Sequence, residues 1–166
     1  MERAAGRIVK TYVSLTLLST FASSFIWGIN TLFLLDSGLT VTQAFTANAF
    51  FTAGQVVFEI PTGIVADTRG RRMSFLLGTA TLFGATVFYL WVWQIKGPFW
   101  AWAVVSAFLG LGFTFFSGAT EAWLVDGLKA AGYKKDLDSV FAKGAIAAGI
   151  AMLSGTVAGG LGAADT

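Results

Sequence analysis

Five long runs without a charged residue limit what this chain can fold into. The runs cover residues 11–35, 37–58, 73–95, 97–120 and 144–164. A helix needs about 20 apolar residues to cross the hydrocarbon core of a bilayer, and every run reaches that length. Transmembrane β-strands would instead show short segments of alternating hydrophobicity. The sequence therefore predicts an all-α, polytopic membrane helix bundle. Its five transmembrane helices are expected at about 11–35, 41–66, 73–95, 98–126 and 141–164.

Basic residues collect at one end of these predicted helices. Of the 11 Lys and Arg residues, ten lie at this end, and only Lys96 lies at the opposite end, in the turn between the third and fourth spans. Because cytoplasmic ends retain Lys and Arg, the N-terminus is predicted to be cytoplasmic, in a cell membrane crossed several times. Five spans then place the C-terminus outside. Four tryptophans flank the Lys96 turn and are expected at the outer headgroups: Trp91, Trp93, Trp100 and Trp102.

The composition excludes several classes of function. The chain has no cysteine and no histidine, so disulfides, thiolate metal sites and the commonest metal ligand are excluded. No metal site or cofactor is predicted, and no nucleophile–base pair indicates an enzyme. A net charge of +2 is too small to indicate a nucleic-acid partner. The predicted partners are the lipid bilayer and a small molecule of unknown identity.

Polar residues inside the spans recur at helical spacing. On the second span, Gln55 and Glu59 lie on one face with Asn48 and Thr52. Ser and Thr stripes also arise simply from helix packing, but an ionisable residue at membrane depth often marks an ion path. For Glu59 and Glu121, a structural ion pair is the alternative to a place on an ion path. The candidate cavity or coupling residues are Glu59, Glu121, Asn30, Ser23, Thr20, Gln55 and Thr114.

The fifth span is rich in small residues. Gly155 and Gly159 form a G-x-x-x-G pair, which permits close approach of two helix backbones. Tight packing within the chain is favoured over dimerisation, because the chain has other helices to pack against.

The stretch "GIVADTRGRR" at 63–72 resembles the signature G-x-x-x-D-x-x-G-R-R of the major facilitator superfamily, which lies in the cytoplasmic loop between helices 2 and 3. The matching residues are Gly63, Asp67, Gly70, Arg71 and Arg72. Thr68 stands where the family has a basic residue, and Arg69 stands where it has an aromatic one. The stretches "FEIPTGIVAD" and "SGATEAWLVD" also resemble the efflux-type bacterial branch of this superfamily.

Two further spans resemble signatures of the same branch. The fifth span is similar to the antiporter signature G-P-x-x-G-G at Gly155, Gly159 and Gly160, with Thr156 in place of the proline. The fourth span keeps the two glycines of an R-x-x-x-G-x-G pattern found in proton-coupled drug exporters. Ser106 occupies the position of the arginine that the family associates with proton coupling.

The resemblance implies that residues 1–166 correspond to helices 1–5 of a twelve-helix fold. The chain would be a partial N-terminal six-helix half, lacking helix 6 and the C-terminal half, and a fragment of a longer protein is expected. The implied function is secondary active transport of small molecules by alternating access, as ion-coupled efflux of amphipathic compounds. Protons are one candidate coupling ion. Uptake of a sugar or metabolite is one alternative, and a non-transporting membrane sensor or scaffold is another.

The resemblance also implies a role for the 63–72 stretch. Gly63 and Gly70 are expected to let the backbone turn at helix ends. Asp67 would face the positive N-terminus of a helix that the family places in the missing half, and Arg71 would bridge Asp67 to Asp126. Such a set of contacts would hold the cytoplasmic side shut. The alternative is that the arginines serve only to fix topology.

Overall fold

The computed structural model describes residues 2–164, and in these residues it is all-helical, without a strand. The helices are α1 (Glu2–Trp27), α2 (Asn30–Asp36), α3 (Val41–Arg69), α4 (Arg71–Gln94), α5 (Phe99–Ala130) and α6 (Asp138–Ala164). Five segments are long and apolar enough to cross a membrane, with α1 and α2 counting together as one. The predicted all-α class with five candidate membrane spans is therefore confirmed.

Several helices run past the ends predicted from charge. The second and fourth spans were expected to end near 66 and 126, whereas α3 continues to Arg69 and α5 to Ala130. Each of these helices carries a basic residue in its last turn, Arg69 and Lys129 respectively. A cation there interacts favourably with the negative end of the helix dipole. The first charged residue indicates where a helix leaves the hydrocarbon. The helical hydrogen bonding of the backbone continues beyond that point.

The first predicted span is not one continuous helix. α1 begins at Glu2 and ends at Trp27, and α2 begins three residues later. At the break, the amide of Ile29 donates to the carbonyl of Ile26 (3.1 Å), a tightened last turn. A Cβ on Gly28 would lie 2.8 Å from Thr156 Cγ2, so a larger residue here would force the Thr156 side chain to move. Asn30, a predicted cavity residue of the first span, therefore lies on a different helix from Thr20 and Ser23.

The described residues form two compact units. The first contains 2–32 and 123–164, and in it α1 packs along α6. An added Cβ would lie 2.7 Å from the Phe21 carbonyl oxygen at Gly155 and 2.6 Å from the Phe25 carbonyl oxygen at Gly159. The two helix backbones therefore touch along the G-x-x-x-G face, and the predicted tight packing within the chain is confirmed.

The second unit contains 33–122, with α3, α4 and the first part of α5. Glycines again mark the closest approaches. A Cβ on Gly54 would overlap the backbone of Ala107, and one on Gly110 would overlap the Phe51 carbonyl. On the neighbouring side of α5, a Cβ on Gly112 would lie 2.7 Å from the Leu82 side chain of α4. The two glycines of the fourth-span pattern thus bring α5 against two different helices.

One end of the second unit is an aromatic core beside the turn between α4 and α5. The Trp102 ring is 1% exposed, and its centroid lies 4.9 Å from that of Tyr89 in an edge-to-face arrangement. Its Nε1–H donates to the Gly97 carbonyl at 3.2 Å. Trp91, Trp93 and Trp100 are exposed, as expected of headgroup residues. Trp102 was predicted to belong with them, which is wrong, because its indole packs inward and closes the turn.

The predicted start of the second span is confirmed. Thr40 is the N-cap of α3, and its side chain accepts from the amide of Gln43 while the Gln43 side chain accepts from the amide of Thr40. This reciprocal capping box satisfies two donors that the helix cannot satisfy itself.

Candidate functional site

A single glycine joins α3 to α4. Gly70 has φ 87° and ψ 155°, a backbone conformation that is essentially reserved for glycine. The predicted loop at 63–72 is therefore mostly helical, and only Gly70 lies outside the two helices. Gly63 was expected to turn the chain at a helix end, and this is wrong. It lies inside α3, and an added Cβ there would have no neighbour within 4 Å.

An ion pair spans this corner. Arg71 Nη1 donates to Asp67 Oδ1 at 2.7 Å, from the first residue of α4 to the last turn of α3. Asp67 is widely exposed, whereas Arg71 is partly covered, with 29% of its side chain accessible. The predicted link from Arg71 onward to Asp126 stays a prediction, because Asp126 belongs to the first unit and Arg71 to the second.

Next to this ion pair, α3, α4 and α5 enclose a cleft of about 420 Å³. Its walls are Gln55, Val56, Glu59, Thr62, Gly63, Ala66 and Asp67 of α3, Arg71 and Ser74 of α4, and Thr114, Gly118 and Ala119 of α5. Pockets for small molecules typically enclose roughly 300–1,000 Å³. The cleft is therefore large enough for a small ligand, and all of its walls lie within the second unit.

Five polar side chains line the cleft beyond the ion pair: Gln55, Glu59, Thr62, Ser74 and Thr114. Glu59 and Gln55 lie one turn apart on α3, and Thr114 faces them from α5. The Thr114 hydroxyl already donates to the Leu111 carbonyl at 2.7 Å. Within the part of the chain that the structure describes, neither the Gln55 amide group nor the Glu59 carboxylate has a hydrogen-bond partner. These two groups are therefore available to a ligand.

The charges of the cleft are unequal. Two carboxylates, on Asp67 and Glu59, face one guanidinium, on Arg71, and the guanidinium is already engaged with Asp67. The lining thus has an excess of one negative charge, carried by Glu59. Among the described residues no cluster of three or more His, Cys, Asp or Glu side chains is arranged to hold a metal ion. The arrangement is suited to a hydrogen-bond donor or an organic cation.

The structure brings together only part of the predicted site. Gly63, Asp67, Arg71, Gln55, Glu59 and Thr114 all line the cleft. Gly70 forms the corner beside it, and Arg72 is exposed at the start of α4. Glu121 is exposed on α5 and does not line the cleft, although it belongs to the same unit. The remaining residues lie in the first unit: Thr20, Ser23, Asn30, Asp126, Gly155, Gly159 and Gly160.

The antiporter-like residues of the fifth span do not act together. Gly155 and Gly159 are buried against α1, whereas a Cβ on Gly160 would have no neighbour within 4 Å. Two glycines that contact α1 and a third that points away from it are typical of a helix-packing face. The described geometry gives these glycines a packing role in the first unit.

Sequence reasoning missed Ser74. This residue is 1% exposed, and its hydroxyl donates to the Phe115 carbonyl of α5 at 3.2 Å. Four residues later, Gly78 touches the same part of α5, since an added Cβ there would lie 3.0 Å from Phe115 Cβ. The signal was available in the small-x-x-x-small spacing of Ser74 and Gly78, which identifies a helix-packing face.

Thr62 was also missed. It is 3% exposed, and its hydroxyl donates back to the Phe58 carbonyl at 2.8 Å, one turn before it in α3. The side chain thus contributes a satisfied polar group to the cleft wall.

Comparisons of this chain with protein-family models, with curated proteins and with solved structures found no match in any of the three.

Proposed function

We propose that this chain is part of a secondary active transporter of the major facilitator type, which moves small amphipathic compounds out of the cell by alternating access. The observation that carries the proposal is the cleft in the second unit, where Glu59 and Gln55 present polar groups without a hydrogen-bond partner among the described residues, beside the Asp67–Arg71 ion pair. The resemblance of residues 63–72 to a transporter signature supports the same function.

The cost of placing polar groups among membrane helices argues for a functional role. An ionisable side chain at membrane depth costs several kcal/mol unless it meets water, a partner or a ligand. A scaffold or sensor without a substrate would gain stability by filling this space with apolar side chains. Here the apolar helix α3 instead carries Glu59 into a cleft with room for a ligand. A transported molecule is the simplest occupant that makes use of this arrangement.

The proposed mechanism uses two parts of the cleft differently. Glu59 binds the cationic end of the substrate or exchanges a coupling proton, because its carboxylate has no partner within the described chain. The Asp67–Arg71 pair holds the α3–α4 corner in one geometry while the pathway is closed on that side. Release of the pair accompanies opening. The rest of the pathway is assigned to the remainder of the protein, including the proposed C-terminal half.

Gradient-driven transport in proteoliposomes tests the proposal. The complete gene product is reconstituted, a pH gradient is imposed, and flux of a fluorescent amphipathic cation such as ethidium is followed together with lumenal pH. We expect substrate-dependent proton movement, reduced at least tenfold by Glu59→Gln. Asp36→Asn removes an exposed carboxylate of the same unit outside the cleft and serves as the matched control.

The same assay separates the alternatives. Flux in the opposite direction, or of a sugar or metabolite in place of the cation, would favour an uptake transporter. An absence of any gradient-driven flux in correctly inserted protein would overturn the transporter proposal and favour a sensor or scaffold.

A further inference from the structure

We infer that the first residues of α1 form a binding surface for the phosphate groups of anionic lipids. The surface consists of Arg3, Arg7 and Lys10, named here the basic stripe. The inference is independent of transport, and it requires only that α1 enters a membrane.

The three cations lie on one side of α1. Their spacing of four and three residues places them on a single helical face, and all three are exposed. Among the side chains that the structure describes, none of the three forms an ion pair. Their charges are therefore available to an external anion.

The opposite side of the same helical segment is fixed in a small hydrophobic core. Ala5 and Tyr12 are buried there with Leu124, Leu128 and Val140 of the first unit. The Tyr12 ring packs edge-on against Phe141, with 6.4 Å between ring centroids. This core prevents α1 from rotating about its axis, so the basic stripe keeps one direction. A fixed direction distinguishes it from a flexible basic tail.

The stripe begins where the apolar part of the helix ends. Lys10 directly precedes the charge-free run that starts at Thr11. From Arg3 to Lys10 the helix rises roughly 10 Å, and a headgroup layer is roughly 5–7 Å thick on each side of the hydrocarbon. Long basic side chains also reach back toward the interface. The stripe thus extends from this layer to slightly beyond it, and its long side chains bring the charges toward the lipid phosphates.

Charge complementarity identifies the class of lipid. Zwitterionic phosphatidylcholine carries its own cation beside each phosphate, whereas phosphatidylglycerol has a net negative charge. Each Lys or Arg near an anionic surface increases binding roughly fivefold. Among the described side chains of this unit, the exposed acidic residues are Asp126, Asp136 and Asp138, and all three lie outside α1. In sequence, α1 itself carries one carboxylate, Glu2, against the three cations of the basic stripe. Asp136 also caps α6, because its Oδ1 accepts from the amide of Asp138 at 3.1 Å.

The test measures lipid selectivity at the protein surface. The complete protein is reconstituted in equimolar phosphatidylcholine and phosphatidylglycerol, and the motionally restricted fraction of spin-labelled forms of each lipid is measured by electron paramagnetic resonance. We expect a preference for phosphatidylglycerol that weakens at high ionic strength. Replacing the stripe together (Arg3→Gln, Arg7→Gln, Lys10→Gln) should reduce that preference at least fivefold, by the charge effect given above.

A matched control removes the same charge elsewhere in the first unit. Lys129, Lys134 and Lys143 are exposed and lie outside α1, and their triple replacement by Gln should leave most of the preference intact. An equal loss in both triple variants would overturn the inference, because net charge alone would then explain the selectivity. If the stripe variant fails to insert, Arg7→Gln alone should lower the preference by roughly fivefold. An unchanged preference in that single variant, or selectivity insensitive to salt, would also overturn the inference.

Discussion

The carboxylate of Asp67 and the guanidinium of Arg71 lie 2.7 Å apart on either side of Gly70, so an ion pair closes the corner between α3 and α4. The Asp67 side chain is 69% exposed, and water therefore screens much of the attraction. Exposed pairs of this kind contribute roughly 0.2–1 kcal/mol to stability. Their small contribution means that a functional effect at Asp67 can be separated from a folding effect.

Replacement of Asp67 by Asn should change function far more than stability. The free energy of unfolding should fall by less than about 1 kcal/mol, since only an exposed ion pair is lost. Transport in the proteoliposome assay should fall at least tenfold under the proposed function, because the corner is no longer held. Unfolding in detergent, followed by circular dichroism, gives the first quantity. As a control, Arg69→Gln removes a neighbouring exposed charge and should change neither the free energy of unfolding nor the transport rate strongly. A full transport rate in Asp67→Asn would refute the role given to the pair.

The two glycines of the 63–72 stretch should respond oppositely to alanine. At Gly70, φ of 87° and ψ of 155° would strain any residue with a Cβ, and Gly70→Ala should cost about 1–3 kcal/mol. At Gly63 the backbone is helical and the space is open, so Gly63→Ala should be neutral or stabilising by up to about 1 kcal/mol. Unfolding of both variants in detergent checks the difference. Equal effects would contradict the described backbone.

Alanine at Gly54 should loosen the second unit. The new methyl group would overlap the backbone of Ala107, which cannot move as a flexible side chain would. Overpacking of this kind typically costs about 1–3 kcal/mol. Gly84→Ala is the matched control, because Gly84 lies in α4 of the same unit with no neighbour within 4 Å. In detergent, Gly54→Ala should unfold at a clearly lower temperature than Gly84→Ala. The reverse order would show that α3 and α5 are not in contact here.

Trp102 and Trp100 should differ sharply although they lie in the same helical turn. Trp102→Ala removes a fully buried indole and its hydrogen bond to Gly97, and a loss of about 3–5 kcal/mol is expected. Trp100 is 66% exposed, so Trp100→Ala should have little effect on unfolding in detergent. Comparable losses in both variants would mean that Trp102 is not part of the core.

The predictable part of the fold was the part governed by the bilayer. Helices that must cross hydrocarbon exclude charge over most of their length, and the five charge-free runs therefore identified the five candidate spans. Charge carries no information on where a helix breaks within the apolar region. At the break, Gly28 lies close to Thr156, a residue more than a hundred positions away, and only tertiary packing reveals this contact.

The candidate site was predictable within a helix and not between helices. Helical periodicity placed Gln55 and Glu59 on one face of α3, and both line the cleft. Periodicity does not determine which helix that face meets. Ser74 entered the cleft wall because α4 contacts α5 through small residues, and Glu121 stayed out because it is exposed on another part of α5. Trp102 was misplaced for a similar reason, since indoles suit both headgroups and cores.

The single-residue connection at Gly70 also limits how the second unit can move. One residue spans at most ~3.8 Å between adjacent Cα atoms, which leaves no slack between the end of α3 and the start of α4. A displacement of the last turn of α3 is therefore transmitted directly to the first turn of α4. The two helices are thus joined through the backbone itself, and the Asp67–Arg71 ion pair lies beside this joint.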